Sequence, residues 1–279
     1  MKRIHVDENV TVRTDEEANI AFLKENDIAF FEDNKGIVKV TKERWEKAQR
    51  TERKHWMEIG KDAKDDRNYY HKDKFDNYNS IKGRVFKNAL EVGCGPFTNL
   101  RIVGNFCNIK SCSLNDPLIK SYLSHTNCSY TNNSLIVDTG NEKLTFFDKI
   151  FRKKIKINNL YDCAFEDISV SEKFDLIVII NVIEHCYDLD IFFSKVISLL
   201  SENGVLIFED KLYSIDNLKD DVNTVYDAAH PLRVNKEIIL DFLKNNFLEL
   251  YSNTQQNTAE LGGKSFLWED IYFIGSAGK

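Results

Sequence analysis

The chain has 279 residues, 42% of them hydrophobic, and is therefore long enough to bury one sizeable core. Its formal net charge of −6 provides no general counter-surface for a phosphate backbone, which argues against nucleic acid as a partner. Its six cysteines show no CxxC pair and no zinc spacing, and most lie in apolar runs, which is typical of reduced thiols in a cytoplasmic protein.

The first 40 residues alternate short β-like runs with charged segments. The runs are Arg3–Val6, Val10–Arg13, Ile28–Phe31 and Ile37–Val40, and Asn34-Lys35-Gly36 predicts a hairpin turn between the last two. The start has no apolar leader, and no run of the chain is long enough to span a membrane. We therefore expect a small β-rich appendage over 1–40 in a cytoplasmic protein without a membrane partner.

Residues 41–82 form a helical and aromatic segment in this interpretation. From Thr41 the apolar spacing predicts a charged helix whose tryptophans, Trp45 and Trp56, share one face. The following stretch, 67–80, is polar and rich in aromatic residues but has no clear period. It is interpreted as a solvated linker, with a lid over the site as the alternative.

A glycine turn at 93–96 is the feature around which the chain is organised. A short apolar run, Ala89 to Val92, predicts a buried strand that stops at Gly93-Cys94-Gly95-Pro96. Glycine allows positive φ and the close approach of a ligand. At the carboxyl end of the first strand of a parallel sheet, such a turn marks a nucleotide-type site. A plain strand-to-helix turn is the alternative.

The next strand is predicted at Ser111–Leu114, after a short helix within Thr98–Gly104, and it ends at Asp116. An acid at the tip of the second strand is placed to hold ribose hydroxyls, and an Asp-Pro turn or a helix N-cap is the alternative. Residues 118–130 are predicted to be helical. The polar stretch 131–153 is predicted to be an insertion.

The rest of the chain alternates strands with helices. NLYDCAF (159–165) and FDLIVII (174–180) are predicted strands, and the continuous apolar run of the second is typical of a strand buried on both faces. A helix is predicted from Leu189 to a glycine stop at Gly204, followed by the strand Val205–Phe208. A last helix follows the AHP loop (229–231), and SFLWEDIYFIG (265–275) predicts two antiparallel pieces at the sheet edge. We assign 83–279 to one α/β domain with a doubly wound sheet.

These motifs, in this order, resemble those of class I S-adenosylmethionine-dependent methyltransferases. The similarity is carried by Glu91-Val92-Gly93-Cys94-Gly95, Asn115-Asp116-Pro117, Phe165-Glu166-Asp167 and Asn181-Val182-Ile183-Glu184-His185. It covers roughly residues 84–210. The resemblance implies an α/β fold: a doubly wound, mostly parallel sheet of the class I methyltransferase type, with an N-terminal extension and an insertion at about 131–153.

The resemblance also implies S-adenosyl-L-methionine as the cofactor and a set of residues that bind it. To that set we add Tyr70, because a tyrosine from the aromatic stretch suits the carboxylate of the cofactor. The implied cofactor-binding residues are Tyr70, Glu91, Gly93, Cys94, Gly95, Asn115, Asp116, Pro117, Phe165, Glu166, Asn181 and Val182. Two departures from the family pattern stand out: Phe97 replaces a frequent third glycine, and Ala164 lies near the position of the usual adenine-binding aspartate.

We predict that the protein is a methyltransferase of this family that acts on a small polar acceptor. The leading acceptor class is a hydroxyl or amine of a sugar or glycan precursor. A hydroxyl acceptor needs a base, and His230 and His185 are the catalytic candidates, with His230 slightly favoured because it lies in a loop. Asp210 is interpreted as an ordinary loop acid, with orienting a histidine or binding substrate as the alternative. No metal site is predicted, because no metal-ligand spacing is visible, and a metal is neither required nor excluded. The alternative function is a non-catalytic S-adenosylmethionine-binding subunit that works through a protein partner.

Overall fold

The computed structural model describes residues 2–7, 10–15, 20–23, 27–32, 35–62, 67–138, 153–214, 229–261 and 264–278. The strands are β1 Lys2–Asp7, β2 Val10–Asp15, β3 Ile20–Leu23, β4 Asp27–Glu32, β5 Gly36–Val40, β6 Val85–Val92, β7 Asn108–Asn115, β8 Ser134–Ile136, β9 Lys154–Tyr161, β10 Phe174–Ile180, β11 Leu200–Leu212, β12 Arg233–Val234, β13 Phe247–Leu261 and β14 Lys264–Ala277. The α-helices are α1 Lys42–Lys54, α2 Arg67–Lys74, α3 Leu100–Val103, α4 Ile119–Tyr122, α5 Leu189–Leu199 and α6 Lys236–Asn246. Within these ranges, no helix combines the length and the apolar character that crossing a membrane requires.

The larger sheet has eight strands in the order β13-β14-β11-β10-β6-β7-β9-β8. Its centre is parallel, since β6 pairs in parallel with β7 and β10, β7 with β9, and β10 with β11. The two edges are antiparallel: β14 enters against β11 and β13, and β8 pairs with β9. The predicted fold class, a doubly wound and mostly parallel class I sheet, is confirmed.

Strand β10 shows why a continuous apolar run forms the centre of this sheet. Leu176, Ile177, Val178 and Ile179 are all 0% exposed. Alternate side chains point to opposite faces, so Ile177 and Ile179 pack in one core cluster and Leu176 and Val178 in the other. A strand buried on both faces has no polar side to present, which accounts for the sequence pattern.

The smaller sheet has six strands, β1 to β5 in order and then β12 beside β5. Each of the four strands predicted in the first 40 residues is present, and β3 was not predicted. The predicted hairpin is confirmed, because β4 and β5 pair antiparallel and Gly36 has a φ of 83°. Strand β12 is contributed from the far end of the chain, by Arg233–Val234, so this sheet is tied directly to the region that follows the AHP loop.

The linker interpretation of 67–80 is wrong, because this stretch is helical and packed against the large sheet. Helix α2 is followed by a 3-10 turn, Asp76–Ile81, and Phe75, Tyr78 and Ile81 are 0% exposed. Asp76, Asn77 and Tyr78 all have φ near +50°, so the backbone reverses in the left-handed region. That reversal breaks the helical period and hides the packing from the sequence pattern.

Several predicted boundaries also differ from those of the structure. The helix predicted over 118–130 is confined to α4, and the insertion 131–153 contributes β8, with 139–152 outside the described residues. Strand β9 begins and ends earlier than NLYDCAF suggests. SFLWEDIYFIG lies in the single strand β14, which pairs with β13 in the predicted antiparallel edge.

Gly204 lies within β11 and is not the helix stop that the sequence predicted. A Cβ at Gly204 would approach the Leu200 side chain to 2.7 Å and the Phe174 carbonyl to 3.0 Å. The glycine is therefore required by close packing next to β10, while α5 already ends at Leu199.

Candidate functional site

A cavity of about 570 Å³ lies at the carboxyl ends of the parallel strands. Strands β6, β7, β10 and β11 contribute residues at or just beyond their ends, and α1, α2 and β14 close it from the side. All residues predicted for the site line this cavity except Glu91. The lining residues from that prediction are Tyr70, Gly93, Cys94, Gly95, Asn115, Asp116, Pro117, Phe165, Glu166, Asn181, Val182, His185 and His230.

Glu91 corrects the predicted set, because its carboxylate is directed to the start of α3 instead of the cavity. The backbone amides of Asn99 and Leu100 donate to it at 2.7 and 3.1 Å, the Asn99 side-chain amide donates at 3.1 Å, and the Thr98 hydroxyl donates as well. Burial raises the pKa of Glu91. These four donors stabilise the buried carboxylate, so Glu91 shapes the segment after the glycine turn and does not line the cavity.

The two glycines of the turn have different functions. Gly93 has a φ of 63°, and a Cβ there would lie 2.6 Å from Val182 Cγ2, so its size is fixed by packing against the end of β10. Gly95 has a φ of 52°, and a Cβ there would meet no atom within 4 Å. The Tyr130 hydroxyl donates to the Gly95 carbonyl at 2.8 Å, and this hydrogen bond stabilises the turn. Gly95 therefore leaves open space on the cavity side.

Asp116 is bound to the glycine turn. Its Oδ2 accepts from the Gly95 amide at 3.1 Å, and its Oδ1 accepts from the Leu118 amide at 2.8 Å. The second bond is the Asp-Pro turn that the sequence suggested. Burial raises the pKa of Asp116 to about 6. The two amides fix the carboxylate at the cavity wall and leave part of its acceptor capacity unused.

Phe165 and Glu166, which follow β9, are held by the start of α5. The Glu166 carboxylate accepts from the backbone amides of Tyr187 and Asp188 at 2.7 and 3.2 Å. Phe165 packs edge-on against Phe192 of α5, with ring centroids 5.0 Å apart. These contacts fix the loop after β9 as one wall of the cavity.

His185 and His230 come together on another wall, with ring centroids 4.5 Å apart. Glu52 of α1 joins them, its Oε1 lying 4.0 Å from His185 Nδ1. Burial lowers the pKa of His185 to about 3, which keeps this imidazole neutral at pH 7. One ligand-type atom from each of the three residues lies within 4.8 Å of the others, so this set is able to hold a metal ion. The three residues are distant in sequence, which is why no metal-ligand spacing was visible.

A buried ionic cluster around Glu184 holds the two histidine segments together. Arg233 Nη1 donates to Glu184 at 2.6 Å, the Tyr213 hydroxyl donates at 2.5 Å, and Lys211 Nζ donates as well. Burial acts to raise the pKa of Glu184, but Arg233 and Lys211 lower it well below its ordinary value. Arg233 also donates to the His230 carbonyl at 3.3 Å, so the cluster links the turn that carries His185 to the AHP loop.

Asp210 lies within β11 and is 1% exposed, so the interpretation as an ordinary loop acid is wrong. Its Oδ2 accepts from the Val182 and Ile183 amides at 3.0 and 2.7 Å, and it does not line the cavity. It therefore fixes the backbone turn at the end of β10.

Sequence reasoning missed the far end of the cavity, which is formed by β11, β14 and α2. Glu209, Asp270 and Tyr272 line it together with His71 and Trp268. A signal was present in the sequence: both VLIFED (205–210) and LWED (267–270) place acids directly after apolar strand residues, where a buried charge requires a reason.

Comparison with known proteins identifies the family of this chain and solved structures with a similar fold. A family model described as "Methyltransferase domain" matches residues 63–247, more than half of the chain. The fold resembles a solved structure from Bacillus halodurans C-125 assigned as a methyltransferase, with a TM-score of 0.52 at 13% identity, covering 74% of this chain and 98% of that one. An S-adenosylmethionine-dependent methyltransferase from Clostridium acetobutylicum ATCC 824 has a TM-score of 0.46 at 16% identity, covering 83% and 99%. No curated protein sequence matches. The chain therefore belongs to the methyltransferase-domain family, and it is an S-adenosylmethionine-dependent methyltransferase of the class I fold.

Proposed function

We propose that the protein transfers a methyl group to a hydroxyl or amine of a small polar acceptor, with a sugar or glycan precursor as the leading class. The observation that carries the proposal is that a single cavity joins the glycine turn and Asp116 to the histidine pair and to the polar end beyond it. The half with the glycine turn and Asp116 suits a nucleoside-type cofactor, and the polar, aromatic half suits an acceptor bound next to it.

The residues around the glycine turn fit S-adenosylmethionine. Asp116 has acceptor capacity left for ribose hydroxyls, and Gly95 leaves room for close approach of the cofactor chain. Phe165, Glu166, Asn181 and Val182 all line the cavity. In this proposal the first two flank the adenine, and the last two face the reacting end. When bound, the cofactor supplies a methyl group already activated on a sulfonium. The protein then has to bind, orient and exclude water.

The histidine wall supplies a proton acceptor for a hydroxyl group. The burial that keeps His185 neutral also makes it a weak base, since an effective base has a pKa near the working pH. We therefore assign the base to a ring nitrogen of His230 and a positioning role to His185, whose ring lies against it. The Trp45 indole donates to the His185 carbonyl at 2.9 Å and holds this segment in place.

The aromatic lining supports a sugar-type acceptor. Trp56, Trp268 and Tyr70 all line the cavity, and Tyr70 is 46% exposed at its mouth. Flat aromatic faces next to polar groups suit a ring that has hydroxyls on its edge and C–H bonds on its face.

The direct test is product formation. The purified protein is incubated with S-adenosylmethionine carrying a labelled methyl group and with a fractionated small-molecule extract, and labelled products are identified by mass. A labelled amino sugar or sugar derivative supports the proposal. Labelling only of protein or nucleic acid would contradict it, and cofactor binding without any labelled product would favour a non-catalytic subunit.

Replacing Asp116 by alanine should weaken S-adenosylmethionine binding by about 1–3 kcal/mol, because charge-assisted hydrogen bonds to the ribose are lost. With a raised pKa of about 6, Asp116 gains a proton as the pH falls through that value. We therefore expect wild-type affinity to fall below about pH 6, and the Asp116→Ala variant to lose this pH dependence. Isothermal titration calorimetry between pH 5 and pH 8 measures both.

Asp190→Ala is the matched control for that titration, because Asp190 is exposed on α5 and does not line the cavity. It should bind the cofactor like the wild type. Equal affinity and equal pH dependence in wild type and Asp116→Ala would remove Asp116 from the cofactor site.

Removal of divalent metal should leave turnover unchanged. A ring nitrogen of His230 that takes the acceptor proton cannot ligate a metal ion at the same time, and a metal ion held by Glu52, His185 and His230 would occupy ligand atoms of the same set. The measurement compares turnover before and after dialysis against EDTA. Activity that is lost on dialysis and restored by Mn²⁺ or Zn²⁺ would show that these histidines are metal ligands.

A further inference from the structure

We infer that the end of the cavity formed by β11 and β14 is a binding site for a protonated amine of the acceptor, with Glu209 and Asp270 as its anionic ligands. The inference rests on the proposed function and makes it more specific: the acceptor would carry an amine, as an amino sugar does. The amine is the group recognised here, whichever atom of the acceptor is methylated.

The antiparallel pairing of β11 and β14 places the relevant side chains on one face of the sheet. Glu209 is opposite Tyr272, and Lys211 is opposite Asp270. Residues two apart on a strand share a face, so all four side chains point the same way, and all four line the cavity.

Each acid has one buried carboxylate oxygen without a hydrogen-bond partner. Glu209 is 4% exposed and its Oε2 has no partner, while Asp270 is 9% exposed and its Oδ1 has none. The other oxygen of Asp270 accepts from the Asn257 amide at 2.5 Å. His71 Nδ1 lies 4.0 Å from Glu209 Oε2, beyond hydrogen-bond distance. Because an unsatisfied buried oxygen is costly, a donor from a ligand is the natural partner for this pair.

Burial gives both acids a raised pKa. It raises that of Asp270 to about 6 and that of Glu209 well above its ordinary value, with the neighbouring acids adding to the effect in Glu209. A cation placed between the two carboxylates would favour their ionised forms, so occupancy of this end by an ammonium group would relieve the electrostatic cost of the pair.

Two of the cations near this pair are engaged elsewhere, and His71, whose Nδ1 lies 4.0 Å from Glu209 Oε2, is a cation only when it is protonated. Lys211 and Arg233 both donate to the buried carboxylate of Glu184. Among the described residues here, the carboxylates of Glu184, Glu209 and Asp270 outnumber these two cations. With both acids ionised, the excess of negative charge lies on the Glu209–Asp270 side, which favours a positively charged ligand.

The aromatic residues around the pair favour an ammonium group over a metal ion. Trp268 and Tyr272 line this end of the cavity, and ring faces attract organic cations. The Tyr70 ring already has such a partner, since Lys74 Nζ lies 4.7 Å from its centroid. A hard divalent cation prefers a shell of six or more oxygen ligands, and indole and phenyl faces offer none.

The site lies at a suitable distance from the glycine turn. In the order β11-β10-β6, the strand that carries Glu209 is two positions from the strand that ends at Gly93. With neighbouring strands about 4.8 Å apart, the two sites are separated by roughly 10 Å across the sheet, about the length of one sugar ring with its substituents. Asn181 lies between the two, and its backbone amide donates to the Glu209 carbonyl at 2.9 Å. An acceptor anchored by its amine at Glu209 would therefore lie across the reacting end beside Asn181, with the glycine turn beyond it.

The test uses three amines and their neutral counterparts as probes: glucosamine with glucose, ethanolamine with ethylene glycol, and putrescine with 1,4-butanediol. Binding to the full-length protein is measured by saturation-transfer NMR, with and without saturating S-adenosylhomocysteine. The variants are Glu209→Gln and Asp270→Asn, which keep the shape and remove the charge. Glu249→Gln, an exposed acid on β13, is the matched control.

We expect at least one amine to bind at least tenfold more tightly than its neutral counterpart, and each charge-removing variant to abolish that preference while Glu249→Gln keeps it. Equal binding of amine and neutral probes, or no amine binding in any state, overturns the inference. Mg²⁺ binding that depends on both acids, without amine binding, would identify a metal site and also overturn it. Binding of S-adenosylhomocysteine is read separately by calorimetry, so a failure of the methyltransferase assignment is distinguishable from a failure of the amine site.

Discussion

Turnover of a hydroxyl acceptor should fall about 10²–10⁴-fold when His230 is replaced by alanine, because the proton on the acceptor oxygen loses its base. Cofactor affinity should be retained, because His230 is not among the residues proposed to bind the cofactor. The measurement compares kcat for wild type and His230→Ala under saturating cofactor, with S-adenosylmethionine affinity measured in parallel by calorimetry.

The neighbouring histidine provides the comparison for that result. His185→Ala should lower turnover less, because a ring with a pKa near 3 contributes little as a base and acts by positioning His230. Full activity in both single variants and in the double variant would mean that the acceptor atom needs no histidine, as for an amine with a free lone pair.

Replacing Glu184 by alanine should destabilise the protein by about 3–5 kcal/mol, because the buried Arg233 and the half-buried Lys211 would be left as uncompensated cations. The side chains of Glu184 and Arg233 are only 3% and 6% exposed, so water cannot replace the lost carboxylate. Urea unfolding followed by circular dichroism measures the change. The exposed Glu46→Ala on α1 is the control and should change the free energy of unfolding by no more than about 0.5 kcal/mol.

The same cluster predicts a pH dependence of stability. The folded protein lowers the pKa of Glu184 below its ordinary value, so the ionised form is the one that folding favours. This contribution is present above the ordinary pKa of a glutamate and is lost as the pH falls through the lower, folded-state value. Wild type should therefore lose stability on acidification more steeply than Glu184→Ala. Parallel slopes for the two proteins would show that the carboxylate is not held in its ionised form.

The glycine turn, the second-strand acid and the central strand were predictable because their signals are local. A strand that stops at glycines, an acid at a strand tip and a continuous apolar run are each set by neighbours in sequence, and Gly95, Asp116 and FDLIVII (174–180) occupy the expected places. Their order along the chain also fixes the parallel sheet, since each strand–helix–strand unit returns in the same direction.

The remaining features depend on contacts between distant segments, which no local period reports. Glu52 meets His185 only because α1 packs across the end of β10, and Glu209 meets Asp270 only because β14 enters the sheet antiparallel beside β11. Glu91 was misplaced for a related reason: a carboxylate at a strand end can turn toward the cavity or toward the next helix, and only the donors around it decide.

Strand β12 follows His230 by two residues and pairs with β5, a strand from near the start of the chain. During synthesis the ribosome releases β5 long before its partner exists, so its free edge has to wait while the whole central sheet is made. The pairing of β5 with β12 closes a loop of about 200 residues, which is a slow and late step of folding. Here that pairing fixes the segment that carries the proposed base. A nascent chain can thus complete the glycine turn and the second-strand acid first, and it can fix the segment of the proposed base only after β12 has been made.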